Sequence, residues 1–116
     1  MGDYVPLFEG NARTFTADAD VTGGQLVIVT GDRAVSTATA DSAAVVGVAA
    51  FDAKDGDDVT VHGGGVQRLI AAGAITAGAR VAAAAGGKVS VTGENTIGLA
   101  LTAAADGAEA QIRLDA

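Results

Sequence analysis

The sequence predicts an all-β domain: a small barrel or sandwich built from two tandem similar β-units with pseudo-two-fold symmetry, preceded by an extended N-terminal arm. Three observations carry this. The chain repeats itself, since Val21-Thr22-Gly23-Gly24-Gln25-Leu26-Val27 matches Ile75-Thr76-Ala77-Gly78-Ala79-Arg80-Val81 at a separation of 54 residues (21 to 75). Short runs of β-forming residues alternate with turn signals along the whole length. Finally, 17 Gly and one Pro sit in a chain that is 49% hydrophobic, so the glycines punctuate turns rather than mark disorder.

The repeat extends beyond its first match. Ala34-Val35-Ser36 falls on Lys88-Val89-Ser90, and Val46-Gly47-Val48-Ala49 falls on Ile97-Gly98-Leu99-Ala100 after three residues are dropped. Asp55-Gly56-Asp57-Asp58 then meets Asp106-Gly107-Ala108-Glu109, and Val61 meets Ile112. What recurs is turn residues and apolar positions, not reactive side chains, and that is the mark of scaffold. The expected division is an arm over residues 1–16 and one β domain over 17–116. Within the domain, unit one covers about 20–72 and unit two about 74–116.

The elements follow in order. Met1 to Asn11 lies outside the repeat and holds Tyr4, Pro6, Leu7 and Phe8; with Phe15, three of the four aromatic residues fall in the first fifteen positions. Pro6 disfavours helix at Val5, so this segment reads as extended. Its rings serve either a contact with another molecule or a fold-back over an open barrel end, and the sequence allows both. Arg13 to Thr16 alternates as a strand. Gln25 to Thr30 is an apolar run of strand length, and Gly31-Asp32 turns the chain into Arg33 to Ala38. Ala43 to Phe51 follows, with Gly47 marking a bulge or a close backbone approach. Asp57 to His62 alternates, and Val66 to Ala71 closes the first unit.

In the second unit, Arg80 to Ala85 pairs through Gly86-Gly87 with Lys88 to Thr92. Thr96 to Ala103 carries Gly98 in the place of Gly47, and Ala108 to Leu114 ends the chain by alternation. Helix propensity favours Ala82 to Ala85. The repeat overrides it, because Ala82-Ala83 align with Ile28-Val29. The total is about eight to ten strands with little helix.

Composition narrows function. One domain of 116 residues with 3% aromatics and an apolar excess of Ala and Val has a thin core. Without cysteine there is no disulfide to compensate, which leaves oligomerisation as the route to more buried surface. A net charge of −7 argues against nucleic acid and against an anionic membrane surface. The first residues show no basic stretch followed by an apolar run, so no signal peptide is expected. The apolar-rich stretch from Leu69 to Ala85 is broken by Gly73, Gly78 and Arg80 and is not expected to span a bilayer.

Candidate chemistry is sparse. His62 is the single histidine and aligns with Arg113, so it reads as an exposed strand-end residue, with no second His or Cys to build a metal site or triad. Asp52, Asp55, Asp57 and Asp58 form an acidic cluster, but their order is not that of a calcium-binding loop, and Asp-Gly serves the turn. Gly63-Gly64-Gly65 and Gly87-Lys88 lack the pattern of a phosphate-binding loop. The expectation is no catalytic residue, no metal, no cofactor and no enzymatic activity.

The succession V-T-G-G-Q-L-V-I-V, V-V-G-V-A, D-G-D-D-V-T-V-H-G-G-G-V, A-I-T-A-G-A-R-V, G-K-V-S, I-G-L-A-L and A-E-A-Q-I-R-L resembles the DUF2190 family of small tailed-phage proteins. These are described as capsid decoration or cement proteins, and the likeness spans roughly residues 12–114. The resemblance implies a bacteriophage virion protein on the outer surface of the capsid. It would bind the major capsid protein of the assembled head and stabilise the shell, as a homotrimer at three-fold or quasi-three-fold positions, with no nucleic acid or membrane partner. It implies no catalytic residues. Tyr4, Pro6, Leu7, Phe8 and Phe15 are the expected capsid-contact residues, through β-augmentation of a capsid sheet by residues 2–16. The competing reading is a small surface-displayed β-domain that binds carbohydrate or another host-surface ligand. Sugar platforms use aromatic rings, and only Phe51 lies beyond the first fifteen residues.

Overall fold

The computed structural model describes residues 12–115. It is all-β, with ten strands: β1 (Ala12–Ala17), β2 (Leu26–Gly31), β3 (Ala34–Thr37), β4 (Val45–Ala49), β5 (Asp58–His62), β6 (Val66–Ile70), β7 (Arg80–Ala84), β8 (Lys88–Ser90), β9 (Thr96–Ala100) and β10 (Glu109–Leu114). One 3-10 turn, Ala85–Gly87, joins β7 to β8.

The first five strands close into a barrel in the order β1-β3-β2-β4-β5, with β5 returning to β1. The ladders are antiparallel except β1 with β3, which run parallel through Thr16↔Ala34 and Ala17↔Val35. The other five form a second sheet in the order β6-β10-β9-β7-β8. Its ends approach through a single parallel bridge, Ala71↔Val89. Backbone contacts recur between the two sheets at the separations of the sequence repeat. Gly24 N–H donates to Ala49 C=O and Gly78 N–H to Ala100 C=O, both at 2.8 Å; the bridges Val21↔Ala53 and Ile75↔Ala104 also correspond.

Two assignments shift. Val66–Ile70, read as closing the first unit, is instead an edge strand of the second sheet, paired with β10. Ala12–Ala17 includes residues 12–16 of the expected arm, yet it is a barrel strand paired along its length with β5. Both shifts have one cause: ladders join residues far apart in sequence, so a strand's sheet is not decided by its neighbours along the chain.

Alternation builds two cores. Inside the barrel, Ala17, Val21, Val27, Val35, Ala49, Ala53, Val59 and Val61 are buried together, with Phe15 and Val46 packed against them. The larger core is lined by the second sheet, with Leu69, Val81, Val89 and Ile112 fully buried. Leu26, Ala38 and Val48 of the barrel's segment enter this second core, so the two sheets share it. Leu26 and Val27 are consecutive and point into different cores, as side chains of a strand must.

Gly47 explains how β4 sits. A Cβ there would come within 2.3 Å of the His62 carbonyl oxygen, and its φ is +155°. The β2–β4 register shifts at Val27/Ile28, beside Gly47, so the expected irregularity is a close backbone approach at a bulge. Gly98 repeats this against the Arg113 carbonyl oxygen, 2.6 Å from a built Cβ.

Candidate docking surfaces

The loops around the bridge Val21↔Ala53 form one end of the barrel and place Asp20, Asp52 and Asp57 around a cleft with Thr22 and Lys54. Two of these aspartates hold the loops in shape. Asp52 Oδ1 accepts from Gly23 N–H at 2.8 Å, and Asp20 Oδ1 accepts from Asp55 N–H at 2.9 Å. Lys54 Nζ lies 3.7 Å from Asp20 Oδ2, with both side chains exposed, so solvent screens the pair and it adds little. Within the acidic cluster read from the sequence, Asp52 thus ties its loop to Gly23, and Asp55-Gly56 form the turn closed by Asp57 N–H on Lys54 C=O. The side chains of Asp55, Asp57 and Asp58 make no hydrogen bond or ion pair with a described residue. Among the described residues no group of three or more His, Cys, Asp or Glu converges as metal ligands.

The joint between the sheets centres on Asp41. Its carboxylate Oδ1 accepts from Asn95 N–H at 2.8 Å and Glu94 N–H at 3.0 Å, and its own N–H donates to Ala83 C=O. Hydrogen bonds from the Asn95 and Glu94 amides hold the carboxyl below its ordinary value of 3.8. Gly87 sits at the same joint. Its φ is +73°, and a Cβ would lie 2.6 Å from the Gln25 Cβ. A groove beside the joint is lined by Val45, Val46, Ile97 and Leu114 and ends at Asp115. There the Arg80 guanidinium grips the Asp115 carboxylate through two hydrogen bonds, which push Arg80 up and Asp115 down from their usual values.

Of the expected contact residues, Tyr4, Pro6, Leu7 and Phe8 lie outside the described residues. Phe15 is on β1, half-buried against the barrel core, so much of its ring is committed to packing. His62 is exposed at the end of β5. Phe51 is 49% exposed beside Gly23, with no second described ring near enough in sequence or ladder to make a platform with it. No polar or charged residue is buried among the described residues. Sequence reasoning missed the Asp41 joint, whose partners are 53 and 54 residues away.

Against this fold, the comparison with protein families is decisive. A family described as phage cement protein matches residues 9–115. The chain belongs to the phage cement protein family. Membership gives it a structural role at the phage capsid. Among solved structures, the chain is similar to the head fiber gp8.5 N base in bacteriophage phi29. That likeness has a TM-score of 0.72 at 22% identity, over 90% of this chain and 92% of that one. At that identity it speaks for the shared fold alone. No curated protein matches.

Proposed function

We propose that this cement-family protein binds the outside of the assembled phage head and stabilises the shell, contacting the major capsid protein as a homotrimer at three-fold or quasi-three-fold positions. The observation that carries the reading is the family match over nearly the whole chain. It agrees with the narrower DUF2190 resemblance and with the solved head fiber base of bacteriophage phi29. The physical design is suited to the task. Closure of β1–β5 into a barrel removes the free edges of that sheet, and a net charge of −7 keeps an abundant surface protein soluble and away from DNA. Modest contact area per copy is offset by avidity when several copies bind together.

In this reading the arm that meets the shell is confined to residues 2–11, because residues 12–16 belong to β1. Tyr4, Pro6, Leu7 and Phe8 supply its apolar contacts. The barrel and second sheet, read as two tandem units, form the body.

Co-sedimentation with expanded heads that lack this protein tests the proposal, using the full chain and a chain beginning at Ala12, which keeps β1 whole. Saturable binding of the full chain, with heads that resist heating better when decorated, is the expected result. Binding by the shortened chain at equal affinity moves the contact from the arm to the body. No binding by either folded protein to its matched head overturns decoration.

A further inference from the structure

Six large apolar side chains among the described residues are exposed, and three of them, Val66, Ile70 and Leu101, gather on one part of the second sheet. The registers Arg113↔Val66, Gln111↔Arg68 and Glu109↔Ile70 place the outward side chains of β6 and β10 side by side. Half-buried Leu99 extends the row through Arg113↔Leu99, and Leu101 N–H donates to Gln111 C=O. The result is an apolar face carrying two exposed arginines, with Glu109 beside Ile70 at its far end. Neither Arg68 nor Arg113 forms an ion pair with a described residue. β6 has a ladder with β10 only, and its other edge turns toward β8, which it meets at the bridge Ala71↔Val89, so the outer face rather than the edge is the open surface. Exposed apolar patches are usual places where proteins associate.

The molecule contains its own control. Ala12, Thr14 and Thr16 of β1 pair with His62, Thr60 and Asp58 of β5 at the positions that match Val66, Arg68 and Ile70 with Arg113, Gln111 and Glu109. Each set holds one carboxylate, Asp58 or Glu109, but where the second sheet has Val66, Arg68, Ile70 and Arg113 the barrel has Ala12, Thr14, Thr16 and His62, so the larger apolar side chains and the two arginines are not required by folding. Charge is divided the same way. Residues 12–62 hold eight Asp or Glu against three Lys or Arg, a net of −5, whereas residues 63–115 hold four against four, a net of 0. The acidic loops at the barrel end have largely alanine counterparts, with Asp20, Asp52 and Asp57 matched by Ala74, Ala103 and Ala108.

We propose that the outer face of β6, β10 and β9 is the docking surface for a second copy of this chain, whose acidic barrel loops at Asp55 and Asp57 meet Arg68 and Arg113. Two surfaces of one chain, one acidic and one apolar and basic, make a head-to-tail contact that closes as a ring when the rotation allows. This contact also relieves the repulsion that copies of charge −7 would otherwise feel. The inference gives a surface to the homotrimer of the proposed function, but self-association is measured without heads, so the two readings fail separately.

Sedimentation equilibrium of the full chain is the test, with Arg68→Glu/Arg113→Glu, with Asp55→Lys/Asp57→Lys, and with an equimolar mixture of these two folded variants. The wild type is expected to be oligomeric and to dissociate as salt rises. Each double variant should weaken association by roughly tenfold or more, and the mixture should recover part of the loss. Because the chain has no cysteine, Arg68→Cys and Asp57→Cys chains can also be mixed under oxidation. Linkage between the two kinds of chain supports the head-to-tail contact. Arg68→Cys chains linking only to themselves would mean a face-to-face dimer and overturn it. A monomeric wild type, or charge variants with unchanged mass, overturns it as well. Head binding lost in the Arg variant of a monomeric protein would assign the face to the capsid instead.

Discussion

Ala17 and Val35 close the barrel within a two-pair parallel ladder, whereas Ala71 and Val89, at the matching positions of the second sheet, close it with one bridge. The barrel's interior is filled by valines and alanines from its own strands. The second sheet has larger side chains in Leu69 and Ile112, and it borrows Leu26, Ala38 and Val48 from the barrel. The comparison teaches that one hydrogen-bond frame supports a self-sufficient half and a dependent half. Closure frees the barrel's outside to carry charge. The less closed half completes its core with its neighbour and keeps an apolar outer face.

The sharpest way to break this comparison is to truncate side chains of the shared core. Leu26→Ala and Ile112→Ala are each expected to cost about 2–5 kcal/mol in urea unfolding, because both are fully buried and leave cavities. If the second sheet depends on the barrel, Leu26→Ala lowers amide-exchange protection in β7 and β9 as well as in β2. Loss confined to the barrel would show the halves to be independent.

Next come the glycines beneath the paired strands. Gly47→Ala is expected to cost about 3 kcal/mol, since the new Cβ meets backbone and the φ is unfavourable. Gly98→Ala should cost less, because its clash is milder and its φ is ordinary. Equal urea midpoints for the two variants would remove this distinction between the halves.

A smaller, pH-dependent effect belongs to the joint. Asp41 and Asp115 both have folded values held below the ordinary 3.8, so both contribute stability that is present above that value and lost as pH falls through the folded value. Asp41→Asn should therefore be less stable than wild type at pH 7, with the gap narrowing below pH 3.8. A gap of constant size from pH 7 down to acid would show that the charge is not what the Asn95 and Glu94 amides hold. The smallest effect is expected at Lys54→Ala, whose exposed pair with Asp20 should leave the urea midpoint unchanged within error.

The candidate surfaces were legible to very different degrees. His62 as an exposed strand end and Asp55-Gly56 as a turn follow from local pattern, and the structure places them so, with Asp57 N–H donating to Lys54 C=O across the turn. Phe15 falls with Tyr4 and Phe8 in the first fifteen residues and by that position reads as part of the arm, but alternation with Arg13 and Ala17 on β1 turns its ring toward the barrel core. The face on β6, β10 and β9 could not be read in advance. Val66 and Arg113 meet only through a ladder between strands 47 positions apart (66 to 113).

Alternation, turn glycines and the internal repeat by themselves determined that the chain is all-β and where its strands lie. Those signals are local, and the alanines of β7 yielded to the matching β2 positions rather than to helix propensity. Only the tertiary structure decided that β1 belongs to the barrel and β6 to the second sheet, that one half closes more fully than the other, and that Asp41 joins them. Strand pairing and shared burial are set by contacts between distant residues, and their free energy is realised only when the whole chain is packed.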